Sequence, residues 1–182
     1  MNTVWLLRHA KSSWSDADAS DHERTLNARG RDAARRIGRH LETRGARFDA
    51  VLCSSAVRTR ETAEILATEL GAWPGFEPEP DLYLAEPSTL LGRLEALPAS
   101  VDAALVIAHN PGIAALAVHL ARRGERAQRE RLRSKFPTAA LAQIELEGSW
   151  SEIGNGGRLV HFAVPRELPP PSEDGQPLPG VG

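Results

Sequence analysis

The chain has 182 residues, of which 41% are hydrophobic and 25% charged, with a formal net charge of -2. That fits one domain with a sizeable core, leaves little room for two, and argues against general nucleic-acid binding. The single cysteine, Cys53, excludes an internal disulfide, and no apolar run is long enough to span a bilayer. The apolar start, Met1 to Leu7, runs directly into Arg8 and His9 and lacks the order of a signal peptide, so a cytoplasmic protein is expected.

Thr3 to Leu7 reads as a buried strand, followed by an acidic loop over residues 10–26. Asn27 is placed to cap a helix that runs to about Arg44 and ends at Gly45, with Ala33, Ala34, Ile37 and Leu41 as its apolar stripe. Asp49 to Cys53 is a second strand. Ser54 or Ser55 then caps a helix from Ala56 to Leu70, stopped by Gly71. Residues 72–82 form a loop around a short edge strand, and Pro87 opens a helix to about Leu97. Ala103 to Ala108 is a third strand, with a helix from Pro111 to about Ala121.

Residues 122–135 carry seven Arg or Lys against two Glu. They read first as a solvated helical or irregular connection, and second as a docking surface for an acidic partner. Ala140 to Leu146 and Leu159 to Val164 read as an antiparallel pair at a sheet edge. The expected organisation is one domain over 1–164 and a Pro-rich, disordered tail over 165–182. The alternation of strand and helix predicts an α/β three-layer sandwich, with a mostly parallel central sheet, an antiparallel edge and helices on both faces.

In such folds ligands gather where strands end and helices begin. Three strand ends carry unusual chemistry. Arg8-His9 follows the first strand, and an arginine buried there calls for an anion. After the second strand, Arg58 lies in the first turn of a helix, where its charge opposes the helix dipole unless an anion offsets it. His109-Asn110 follows the third strand. Cys53 packs as a small apolar residue, and Arg58 comes one residue too early for the Cys-x5-Arg loop of cysteine phosphatases.

Four ordered motifs carry a resemblance: Leu7-Arg8-His9-Ala10, Arg24-Thr25-Leu26-Asn27-Ala28-Arg29-Gly30, Ser54-Ser55-Ala56-Val57-Arg58-Thr59 and His109-Asn110-Pro111-Gly112. With these the chain, from Thr3 to about Val164, resembles the histidine phosphatase superfamily, and within it the small bacterial protein phosphohistidine phosphatases. The resemblance implies that His9 is the phosphate-accepting nucleophile and that Arg8, Arg58 and His109 complete the phosphate pocket. It makes Arg24 a further anion contact or a pocket-shaping residue. Asn110 either hydrogen-bonds near the phosphate or caps the following helix.

The chemistry is consistent on its own terms. A neutral imidazole attacks phosphorus, its other nitrogen donates to a backbone carbonyl, and cationic groups stabilise the charge that spreads over the phosphoryl oxygens. His109 is expected to work in its charged form. No metal or other cofactor is required, and no His/Cys/Asp cluster has metal-ligand spacing. Asp21, Glu86 and Asp81 are the candidates for general acid. The expected substrate is phosphohistidine in a partner protein, with no nucleic-acid or membrane partner. The alternatives are a small-molecule phosphomonoesterase or a module that binds phosphorylated partners without hydrolysis.

Overall fold

The structure is a computed structural model that describes residues 1–15 and 17–170. Its centre is a seven-stranded sheet ordered β3-β2-β4-β1-β6-β7-β5. The strands are β1 (Thr3–Arg8), β2 (Ala50–Ser54), β3 (Pro78–Glu79), β4 (Ala103–Ala108), β5 (Ala121–Gly124), β6 (Leu141–Glu145) and β7 (Gly157–Ala163). The helices are α1 (Ala28–Thr43), α2 (Val57–Leu70), α3 (Pro87–Glu95), α4 (Gly112–Leu120) and α5 (Arg126–Ser134). Neighbours β3, β2, β4 and β1 run parallel, β6 runs antiparallel to both β1 and β7, and β5 is parallel to β7. This is the expected three-layer α/β arrangement.

The pleat of β1 explains the layers. Val4 and Leu6 face one core with Leu90, Leu94, Ile113, Leu116 and Leu132 of α3, α4 and α5. Trp5 and Leu7 face the other with Ile37 and Leu41 of α1 and Leu66 of α2. A strand buried on both faces has no reason to alternate with polar residues, which is why β1 and β4 read as continuous apolar runs. Asn27 caps α1 by accepting from the Gly30 N–H at 2.8 Å, and the chain turns at Gly45 with φ +64°.

Two expectations change. The antiparallel pair β6–β7 is not the sheet edge, because Ala121–Gly124 at the head of the basic segment adds as β5 outside β7. Arg122 and Arg123 are exposed on that outermost strand, where charge discourages pairing with another chain. The remainder of the basic segment is α5, held by the buried Leu132. In addition, the Pro-rich segment starts ordered: Pro165–Glu167 form a 3-10 turn, and Arg36 Nη1 donates to the Leu168 carbonyl at 3.1 Å. The rest of the tail, 171–182, lies outside the described residues.

Candidate active site

Strands β2, β4 and β1 are parallel neighbours, so their C-terminal ends lie together. Cys53 is opposite Ile107, and Ala108 is opposite Arg8. Ser54, His109 and His9 therefore emerge side by side at one end of the sheet. The His9 N–H continues the ladder to the Ala108 carbonyl at 3.1 Å, and the rings of His9 and His109 meet at 5.1 Å between centroids. The next residue is fixed to α2, because the Ala10 N–H donates to Thr62 Oγ1 at 3.1 Å.

His9 Nδ1 lies 2.7 Å from the Ala10 carbonyl oxygen. A carbonyl only accepts, so Nδ1 carries the ring proton and Nε2 presents its lone pair. Burial, reinforced by Arg58, Arg8 and Arg24, pushes the pKa down to about 4, against the raising effect of the Ala10 bond. At neutral pH this imidazole is uncharged and available as a nucleophile.

His109 departs from expectation. Arg58 Nη2 approaches its Nδ1 at 3.3 Å, and a guanidinium only donates, so Nδ1 accepts. Nε2 then carries the proton and donates to Ser54 Oγ at 2.7 Å. Burial, then His9 and Arg58, lower its pKa to about 3. His109 is thus neutral here, not the charged group expected from the sequence.

Arg58 is 3% exposed. Nη1 donates to the Asp21 carbonyl oxygen at 2.5 Å, and Nη2 to Asp21 Oδ2 at 3.0 Å. The anion that offsets the arginine's position in the first turn of α2 is thus supplied by the loop after His9. The Asp21 carboxylate also accepts from Tyr83 Oη at 2.5 Å and from Arg24 Nη1 at 2.9 Å. The Tyr83 bond first, then Arg24 and Arg58, hold its carboxyl well below the usual range, with burial opposing. These three donors favour the ionised carboxylate, an arrangement better suited to holding Arg58 than to giving up a proton.

Arg24 shapes the pocket wall. Nε donates to the Ser13 carbonyl at 2.9 Å, Nη2 to Ser12 Oγ at 2.6 Å, and the guanidinium stacks 3.3 Å over the Trp14 ring. Arg8 Nη1 donates to the Phe136 carbonyl at 3.1 Å, while its buried Nε has no partner among the described residues. A buried unpaired donor beside His9 is chemically suited to an anion's oxygen. Asn110 does not cap α4. Its Nδ2 donates to the same Phe136 carbonyl at 2.8 Å, leaving a buried Oδ1 without a partner among the described residues.

Glu86 and Asp81 are exposed. Glu86 stands at the start of α3, and the preceding Ala85 carbonyl presses on Gly112, where a Cβ would overlap it. That contact places the Glu86 backbone beside the loop that follows His109. Several site residues lay outside the sequence reading. Tyr83 touches the His109 ring edge-on at 5.5 Å, and His22 Nε2 lies 2.9 Å from Ser55 Oγ. Their loops have no periodicity from which to place them. Ser54 was visible only as a possible cap, although its position after β2, level with Ala108, puts it beside His109.

A family model, Histidine phosphatase superfamily (branch 1), matches residues 4–88. An uncharacterized protein of Mycobacterium tuberculosis is 37% identical over 163 residues, covering 88% of this chain and 100% of the relative. Among solved structures, a candidate phosphohistidine phosphatase SixA of Nakamurella multipartitia superposes with TM-score 0.78 at 26% identity, covering 94% of this chain and 97% of that one. The protein histidine phosphatase SixA complexed with tungstate superposes with TM-score 0.74 at 25% identity, covering 91% and 98%.

Proposed function

This chain belongs to the histidine phosphatase superfamily, matching its SixA-like branch in fold, and we propose on that premise that it removes phosphate from phosphohistidine in a partner protein. The observation that carries the chemistry is the Nδ1–H bond from His9 to the Ala10 carbonyl, which leaves Nε2 unprotonated and supports it as the nucleophile. In this reading Nε2 attacks phosphorus, the bond from phosphorus to the substrate imidazole breaks, and the phosphoryl group rests on His9. Water then attacks phospho-His9, releasing inorganic phosphate and restoring the neutral ring.

Arg8, through its unpaired Nε, and Arg58 face the phosphoryl oxygens. His109 contributes by gaining a proton: the negative charge of a phosphoryl group beside it opposes the neighbouring cations and raises its affinity for H⁺. Nδ1 would then donate to a phosphoryl oxygen in place of accepting from Arg58. Asn110 contributes its free Oδ1 as an acceptor at the pocket edge.

The proton inventory supports this substrate. With Asp21 favoured in its ionised form, the described residues offer no strong acid beside the leaving group. A phosphorylated imidazole needs none, because its second ring nitrogen takes a proton from solvent near neutral pH and the ring departs neutral. An alkoxide has no such route. The SixA-like neighbours support this substrate class. The single cysteine supports a cytoplasmic setting, and among the described residues no helix is long and apolar enough to cross a membrane.

Glu86, whose backbone lies beside the loop that follows His109, favours a second reading, a small-molecule phosphomonoesterase with Glu86 as acid. Competing a phosphohistidine protein against sugar and nucleotide phosphates decides between them. The phosphoramidate is expected to show the higher kcat/KM, with Glu86→Gln changing it by less than about threefold and His9→Ala lowering it by at least about 10⁴-fold. Faster turnover of any small ester, lost in Glu86→Gln, would select the second reading.

A further inference from the structure

The pocket residues leave one feature unused: the basic segment and the groove it borders. A groove of about 520 Å³ lies between α4 and the C-terminal end of α5. Its floor is apolar, formed by Ala114, Val118, Leu132 and Phe136. Its rim carries Arg133 and Lys135, and no lining residue is acidic. Other cations nearby are engaged: Arg126 pairs with Glu130, Arg131 with Glu167, and Arg129 donates to the Arg122 carbonyl. Arg133 and Lys135 are exposed, and neither makes an ion pair within the described residues.

Two segments of the chain are shared between the groove and the candidate site. Pro111, at its head, is two residues from His109. Phe136 lines the floor with its side chain, while its carbonyl holds both Arg8 Nη1 and Asn110 Nδ2. An occupant of the groove is therefore one residue away from groups that border the phosphoryl site.

We propose that this groove docks the polypeptide bearing the phosphorylated residue, and that the docked element is an acidic amphipathic helix. The inference rests on the phosphohistidine reading and adds the partner's surface chemistry to it. An apolar floor accepts aliphatic side chains at i, i+3 and i+4, while the flanking carboxylates meet Arg133 and Lys135. A small phosphate ester would gain nothing from the same groove.

Docking can be read without chemistry. Two fluorescently labelled, unphosphorylated helical peptides share the same leucine spacing, one with Glu and one with Lys at the remaining positions. Anisotropy is expected to show the Glu peptide binding at least about tenfold tighter, with the preference shrinking as salt rises. The double variant Arg133→Glu/Lys135→Glu should invert the order. Val118→Asp should weaken both peptides while leaving turnover of phosphoimidazole unchanged. Equal binding of the two peptides, or a preference that survives charge reversal, overturns the docking inference whatever the enzyme hydrolyses. Failure to hydrolyse phosphohistidine with docking intact overturns the substrate reading alone.

Discussion

The bond from His9 Nδ1 to the Ala10 carbonyl leaves Nε2 as the nitrogen proposed to react, and burial lowers the pH at which the ring would become charged. Only the neutral ring attacks, so activity is present above the His9 pKa and lost as pH falls through it. With that pKa pushed down to about 4, the acid limb of kcat/KM is expected near pH 4, well below an ordinary histidine's 6.5. A pH series on p-nitrophenyl phosphate, corrected for the ester's own ionisation, measures it; a limb at 6.5 traced to His9 would contradict the buried geometry. Cys53 illustrates the opposite consequence of burial, its thiol pushed up to about 12 and kept inert.

At the scale of elements, close backbone approaches hold the loops to the strand ends. Gly30, near the start of α1, packs on the Lys11 carbonyl and clamps the loop that carries Asp21. Gly112 packs on the Ala85 carbonyl and holds the segment that presents Tyr83 to Asp21 and His109. Gly112→Ala is expected to push that segment outward and to lower kcat/KM by about 10- to 100-fold, the effect of ångström-scale misplacement. Gly92→Ala in α3, where a Cβ meets nothing within 4 Å, is the control and should leave kcat/KM unchanged.

These clamps also explain what the sequence disclosed. His9, His109 and Arg58 were legible because each follows an apolar strand, and a parallel sheet brings such ends together. Tyr83, and the Asp21–Arg58 pair, depend on how aperiodic loops fold over the sheet, which no local pattern encodes. Asp21 was noticed as a carboxylate able to reach the pocket, but spacing does not reveal the three donors that surround it. β5 was missed because Arg122 and Arg123 read as solvated surface, as an outermost strand also does.

Across the whole molecule, several histidines are held neutral. His9, His109 and His161 are lowered to about 4, about 3 and about 4, chiefly by burial, and His40 is lowered as well. His40 of α1 and His161 of β7 share one hydrogen bond, Nε2 to Nε2 at 2.7 Å, which needs one nitrogen unprotonated. The unfolded chain takes up these protons near pH 6.5, whereas in the folded chain His9 and His161 resist until about pH 4 and His109 until about pH 3. Between those values the unfolded state binds more protons, so stability falls as pH falls. Urea melts at pH 7.5, 6 and 5 are expected to show a falling midpoint, with a smaller fall in His161→Gln. A midpoint independent of pH across that range would contradict the neutral assignment.

The contiguity of β2, β4 and β1 separates what this architecture can change from what it cannot. His9 and its neighbour His109 continue the ends of the central strands and are as fixed as the sheet itself. The rim, with Trp14 at 77% exposure and Leu84 at 52%, belongs to loops outside that ladder. A lineage built on this plan could therefore exchange its clientele by rewriting the rim, while the atoms that handle phosphorus are inherited intact.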